Sequence, residues 1–395
     1  MKTADIVIIG GGIVGLALAS LLANTDCNIV VIEKNPPQSL DENEVSNRVS
    51  AINFASQKML EQAGAWQQIP ANRLSPYQQM LVWEKDSFGK IHFDNQDEMI
   101  KQLGLDQLGF IIENNQIQQA LWKIVSQQAN VEIILANPSH LGISENGAFL
   151  TLDNGEMLAA KLIVGADGAN SWVRRQTNIP LISRDYQHTA LVCNVRTAEP
   201  HQQTARQIFS PESILAFLPL SDPNLCSIVW SLPPEQAQQL VSIEEKEFNQ
   251  ALTIAFDNQL GLCHLQSSRA IYPLVARYSR DFAQPRIALV GDAAHTIHPL
   301  AGLGVNLGFA DVITLSEQIK LHLFAGNDVG EYRHLREFER RRKVEAIKVL
   351  TAMQGLKDLF AGDNPLKKLI RSTGLSLTDK NSLLKKFFIQ QTLGF

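Results

Sequence analysis

The chain has 395 residues, 45% of them hydrophobic and 19% charged, which excludes a disordered chain or a small stapled scaffold. At roughly 100–200 residues per domain it holds two or three domains with ample core. Lys and Arg number 35 against 40 Asp and Glu, a formal charge of -5, so there is no global attraction to polyanions and nucleic acid is not expected as a partner.

Residues 5–9 form a short β-branched apolar run, as expected of a parallel strand buried on both faces. Gly10-Gly11-Gly12-Ile13-Val14-Gly15 ends that run, residues 16–23 read as a helix, and residues 28–33 supply a second strand. Residues 5–33 are therefore a βαβ unit with a right-handed crossover. Residues 6–22 are apolar enough to suggest a signal peptide, but three glycines interrupt them and no small-residue cleavage site follows, so a folded strand, turn and helix is expected there. Residues 161–167 and 286–292 repeat the pattern of an apolar strand running into Gly and Asp, so the strands of one sheet are scattered along the chain.

Residues 189–195, 214–220 and 225–232 read as strands of another kind, separated by turns such as Ser221-Asp222-Pro223-Asn224. The expected fold class is α/β. It comprises a discontinuous Rossmann-like domain (1–75, 98–180 and 280–325), an inserted, mainly antiparallel β-sheet substrate domain (76–97 and 181–279) and a C-terminal helical segment (326–395). Residues 331–395 carry 14 Lys and Arg against 7 Asp and Glu. No run reaches the ~18 uninterrupted apolar residues needed to span a bilayer. The cysteines Cys27, Cys193, Cys226 and Cys263 lie far apart with no Cys-x-x-Cys pair, which favours a reducing compartment over a zinc site or disulfide framework.

Gly10-x-Gly12-x-x-Gly15 follows a strand and opens a helix, the context a dinucleotide fingerprint requires. Gly10 permits the tight turn, Gly12 lets a pyrophosphate approach the backbone, and Gly15 lets helix pack on strand. Glu33 ends the second strand, where an acid can accept a hydrogen bond from a ribose hydroxyl. Asp167 in Asp167-Gly168-x-x-Ser171-x-x-Arg174 and Asp292 in Gly291-Asp292-Ala293-Ala294-His295 stand at two further strand ends. An acid there can hold a ribityl hydroxyl, which FAD has and NAD lacks; alternatively it caps the following helix. His295-x-x-His298 has no further flanking ligands, so no metal is assigned.

Gly10/Gly12/Gly15, Glu33, Arg48, Asp167-Gly168 and Gly291-Asp292 together resemble the single-component FAD-dependent aromatic hydroxylases, the group typified by para-hydroxybenzoate hydroxylase. Within that group, segment 291–308, containing His298-Pro299-Leu300-Ala301-Gly302-Leu303-Gly304-Val305-Asn306, is most similar to the ubiquinone-biosynthesis hydroxylases. Segments 217–220, 226–234 and 257–261 are similar to the branch that hydroxylates a 2-polyprenylphenol at ring position 5.

The resemblance, which covers essentially the whole chain, implies FAD as cofactor, NAD(P)H as reductant, and O2 and a hydrophobic polyprenylphenol as substrates, reacting through a flavin C4a-hydroperoxide. It assigns Pro299, Gly302 and Gly304 to a flavin-activating loop with no obligatory side-chain nucleophile. It assigns flavin or phosphate contacts to Gly10, Gly12, Gly15, Glu33, Arg48, Asn114, Asp167, Gly291, Asp292, Gly304, Val305 and Asn306. Leu303 departs from the family's usual Gln, which removes a polar side chain but leaves backbone contacts intact. Phe217, Leu218 and Trp230 are candidates for the pocket wall, with core packing the alternative.

A cytoplasmic protein, homo-oligomeric and peripheral at the inner face of the cytoplasmic membrane, is expected. Its basic C-terminal segment, with an apolar stripe over 382–393, is the candidate contact for that membrane or for other ubiquinone-biosynthesis proteins; the alternative is that the stripe packs on the FAD-binding domain or in an oligomer interface. Two other readings remain: a flavoprotein reductase or oxidase of an isoprenoid, and a low-turnover flavin-binding scaffold in a quinone-synthesis assembly.

Overall fold

The computed structural model describes residues 1–38, 44–297, 303–360, 373 and 379. Pro299, Gly302, His298 and the stripe over 382–393 lie outside them.

Parallel strands Lys2–Ile9, Ile29–Glu33, Val131–Leu135, Met157–Gly165 and Ile287–Leu289 form the core of the first sheet. Ile6, Val7 and Ile8 are fully buried, because the sheet is covered on both faces. Helix Ile13–Leu21 packs between helices Asn114–Val125 and Leu303–Phe324. Ile9 is level with Ile32 on one side and Gly165 on the other, and Gly165 is level with Leu289. That register delivers the three Gly- and Asp-bearing loops to one edge of the sheet, the edge where open α/β sheets bind ligands.

The second sheet is antiparallel except where Thr204–Phe209 runs parallel to Gln79–Glu84. Its long strands are Leu181–Thr197, Ala270–Ser279, Leu225–Leu232 and Ile214–Pro219. Alternation gives it two unlike faces. Leu191, Cys193, Leu215, Phe217, Ile228 and Trp230 pack toward helices Pro234–Ser242 and Glu245–Ala255, through Ala237, Phe248 and Leu252. Val82, Phe209 and Ile214 on the opposite face meet Val349 and Met353 of helix Tyr332–Phe360. Burial pushes the Cys193 thiol up to about 12, which leaves it protonated and inert.

A third sheet, Val49–Ile52, Gly109–Glu113 and Ser75–Tyr77, links the two larger ones. It was not anticipated, since its strands run only 3 to 5 residues and two of them contain Ser or Pro.

Candidate active site

Gly10 adopts φ +114°, and a Cβ there would stand 2.4 Å from the Ala166 carbonyl oxygen. Only glycine allows this turn to lie against the Ala166-Asp167 backbone. At Gly15 a Cβ would come within 2.0 Å of the Gly10 carbonyl oxygen, whereas at Gly12 it would meet nothing within 4 Å. Two of the three glycines thus seat the helix on the strand. The third leaves its backbone open toward the crevice.

The Gly11 N–H donates to Glu33 Oε2 at 2.6 Å, and the Lys34 and Asn35 N–H groups donate to Oε1. Glu33 therefore braces the glycine loop, and a carboxylate so bonded still has acceptor capacity for a ribose hydroxyl. Asp167 Oδ2 accepts from the Trp172 and Val173 N–H groups at 2.6 and 3.0 Å, so it does cap the next helix. Its Oδ1 is buried with no hydrogen-bond partner. Asp292 is exposed to solvent but stands deep in the crevice, and the surrounding protein raises its carboxyl despite His295, Arg48 and Arg277 nearby. Among the described residues its carboxylate has no hydrogen-bond partner.

Arg48 lies within electrostatic reach of Asp292, its guanidinium 5.6 Å from the Tyr272 ring centroid. The Arg48 carbonyl accepts from the Asn114 N–H at 2.9 Å, and Asn114 Oδ1 accepts from Ser50 Oγ at 2.7 Å. Arg174, buried, donates to the Ala293 and Ala169 carbonyls at 2.8 Å each, which ties the Asp167 loop to the Asp292 loop.

Three anchoring residues were missed in the sequence: Asp311, Arg342 and Gln118. Asp311 is fully buried; its Oδ2 accepts from the Gly291 N–H at 2.9 Å and His295 Nε2 at 2.6 Å, and its Oδ1 from Arg342 Nε at 2.7 Å. Burial alone would raise this carboxyl, but His295 and Arg342 hold it below its ordinary value. His295 is thus engaged by a carboxylate. Gln118 Nε2 donates to the Gly11 carbonyl at 2.9 Å. The available signal for Asp311 was a lone acid in the apolar run 305–315, because a buried charge needs partners.

Gly304, Val305 and Asn306 form the first turn of helix Leu303–Phe324. The Asn306 side chain is a brace, donating to the Ala51 carbonyl at 2.7 Å and accepting from the Asn53 N–H at 3.1 Å. A Cβ at Gly304 or at Gly168 would meet nothing within 4 Å. Open backbone at Gly12, Gly168 and Gly304, an orphaned carboxylate oxygen on Asp167 and an unpartnered Asp292 are what an FAD molecule needs along this edge. The residues present fit it.

Phe217 and Trp230 are not pocket wall. Phe217 stacks on Phe256 with ring centroids 3.6 Å apart, on the face turned to the covering helices. Leu218 lies on the other face, in the cluster that includes Val45 and Val49. Phe217→Ala is expected to destabilise the fold by about 3–5 kcal/mol in urea titration. A loss under about 1 kcal/mol would show that the ring is not core.

The family described as FAD binding domain matches residues 3–351. The mitochondrial ubiquinone biosynthesis monooxygenase COQ6 of Mus musculus is 34% identical, over 97% of this chain and 89% of its own length. The 3-demethoxyubiquinol 3-hydroxylase of Escherichia coli (strain K12) is 33% identical, over 100% of this chain and 99% of its own. Among solved structures, p-nitrophenol 4-monooxygenase PnpA from Pseudomonas putida DLL-E4 superposes with a TM-score of 0.80 at 19% identity, covering 100% of this chain and 99% of that one. That likeness shows a shared fold.

Proposed function

The chain belongs to the FAD-binding family that includes the ubiquinone-biosynthesis monooxygenases, and from that premise we propose that it hydroxylates the aromatic ring of a polyprenylphenol, using O2 and NAD(P)H. Bound FAD supplies the redox chemistry that activates O2. The observation that carries the reading is the convergence of Gly12, Asp167, Asp292 and the Gly304 turn on one sheet edge, within a chain related over its whole length to ring hydroxylases.

In this reading the chain's own task is to bind and orient. Gly10, Gly12 and Gly15 admit the pyrophosphate at the start of helix Ile13–Leu21, Glu33 accepts from the adenosine ribose, and Asp292 and Asp167 accept from the ribityl and neighbouring hydroxyls. Gly291 shapes the turn that presents Asp292, and Arg48 and Asn114 face the flavin or its phosphates. The N–H groups of Gly304, Val305 and Asn306, in the first turn of helix Leu303–Phe324, would lie beside the bound flavin, where a helix N-terminus stabilises negative charge by ~0.3–1 kcal/mol. The reacting ring needs an electron-donating hydroxyl, and the protein must exclude water around it.

The two-domain division at 76–97 and 181–279 forms part of the same proposal, with the inserted sheet as the substrate-bearing half. Among the described residues no helix is long and apolar enough to cross a membrane. The net positive charge of residues 331–395 supports a peripheral contact with an anionic surface or a partner protein, made by a homo-oligomer.

Acid precipitation of the purified yellow protein is expected to release FAD into the supernatant; FMN, or a flavin that stays in the pellet, would contradict this. Asp292→Ala is expected to weaken FAD binding about ten- to a hundredfold, since a hydrogen bond to a charged group is worth ~1.5–3 kcal/mol. Unchanged affinity in a fluorescence titration would remove Asp292 from the site. The substrate assignment is tested by incubating the FAD-loaded protein, NAD(P)H and O2 with a panel of polyprenylphenols and identifying products by mass spectrometry. Absence of any hydroxylated ring would overturn it.

A further inference from the structure

Residues 44–48, which run into strand Val49–Ile52, form no helix or strand, so their backbone groups take partners from other elements. Arg73 Nη1 donates to the Glu44 carbonyl at 3.2 Å. Asn194 Nδ2 donates to the Val45 carbonyl at 2.7 Å and reaches the Ser46 carbonyl at 3.5 Å. Glu113 Oε2 accepts from the Ser46 N–H at 2.5 Å, and Asn47 Nδ2 donates to the Ser268 carbonyl at 2.7 Å.

The tethers come from two sides. Asn194 stands in strand Leu181–Thr197 of the second sheet, whereas Glu113 ends strand Gly109–Glu113 of the third. Both are buried, Asn194 at 2% exposure and Glu113 at 3%. The second Glu113 oxygen holds Arg73 Nη1 at 3.0 Å, and the Asn194 N–H donates to Ser267 Oγ at 2.8 Å. Each clamp is therefore itself fixed by a partner, as a buried polar group must be.

The residue these clamps place is Arg48. Its N–H donates to Ser46 Oγ and its carbonyl accepts from the Asn114 N–H, while its guanidinium is exposed, near the Tyr272 ring and within electrostatic reach of Asp292. Among the described residues that guanidinium makes no hydrogen bond or ion pair, so the course of 44–48 decides where its charge stands. A binding group is as well placed as the residues supporting it.

We infer that Asn194 and Glu113 are positioning residues for Arg48, clamping 44–48 from the second and third sheets so that the guanidinium stands against the bound cofactor. The inference rests on the cofactor contact proposed for Arg48. With one clamp from each sheet, the place of Arg48 follows how the two sheets sit against each other.

The test is a pair of double-mutant cycles on FAD affinity, read by fluorescence titration of the apoprotein without substrate or NAD(P)H. Arg48→Ala is expected to weaken FAD binding at least about tenfold. Asn194→Leu, which keeps the volume and removes the donor, and Glu113→Gln, which removes the charge facing Arg73, are each expected to weaken it roughly five- to tenfold. In the Arg48→Ala background the same two changes are expected to cost less than about twofold, because the group they position is gone. A residue that serves only the fold lowers affinity equally in both backgrounds. Asn194→Ala, which removes the amide without adding methyl groups, runs the same cycle where Leu is not accommodated, and denaturant titration of each apoprotein reports its fold.

Each residue is judged by its own cycle: a loss equal in both backgrounds, or no loss at all, overturns its role. Unchanged affinity in Arg48→Ala overturns both roles together with the cofactor contact of Arg48. Because binding is read without turnover, coupled losses seen with no hydroxylated product would contradict the proposed reaction and leave the positioning roles standing.

Discussion

Asp311→Ala is expected to destabilise the protein by about 3–5 kcal/mol and to strip it of FAD, because it leaves the buried Arg342 without its carboxylate. The same change frees the Gly291 N–H and His295 Nε2, which together hold the loop presenting Asp292. Asp311→Asn keeps the volume and removes the charge, and so isolates the electrostatic part. A carboxyl lowered in the fold contributes stability that is present above its unfolded value of about 3.9 and lost as the pH falls through the folded value. The stability gap between wild type and Asp311→Asn is therefore expected to be full at neutral pH and to close as the pH drops below about 4. Denaturant titration across that range, with FAD content assayed in parallel, measures both. A gap independent of pH, or full FAD retention in Asp311→Ala, would show that the hub does not organise the loop.

Gly15→Ala is expected to be nearly as damaging although it adds one methyl group. That methyl would sit 2.0 Å from the Gly10 carbonyl oxygen and 3.2 Å from Ala166 Cβ, and both neighbours belong to the sheet edge. Helix Ile13–Leu21 must therefore lift away from the strand, and overpacking of this kind costs about 1–3 kcal/mol or more. Because the lift also moves the helix N-terminus, FAD content should fall more steeply than thermal stability. Gly12→Ala supplies the contrast: a Cβ there has open space in the protein, so the fold should hold while a pyrophosphate loses its approach. Equal FAD content in the wild type and both variants would contradict the assigned geometry.

The strands Lys2–Ile9, Ile29–Glu33, Met157–Gly165 and Ile287–Leu289 were legible because parallel strands buried on both faces read as apolar runs, three of them running into glycine and the fourth ending in Glu33. The strand Leu181–Thr197 was read only from residue 189. Its first part, Ser183-Arg184-Asp185, is polar and exposed, and the register shifts between Asp185 and His188 break the alternation. Helices Pro234–Ser242 and Glu245–Ala255 were passed over because each buries a single narrow stripe, such as Phe248 and Leu252, among polar residues.

At the site, the types of residue were readable and their partners were not. Asp167 at a strand end suits a cap or a cofactor contact equally in sequence, and in the structure one of its oxygens caps a helix while the other lies free. Asn306 was read for its backbone, yet its side chain ties the helix to Ala51 and Asn53, a pairing across more than 250 residues that no local pattern encodes.

The central claim is that this chain transfers oxygen from O2 to an aromatic ring. The most direct measurement is product mass spectrometry after turnover of the FAD-loaded protein with NAD(P)H and a polyprenylphenol under 18O2. The expected result is a ring-hydroxylated product carrying one labelled oxygen. A reduced or oxidised isoprenoid without label, label derived from water, or FAD turnover with no change in the phenol would contradict it.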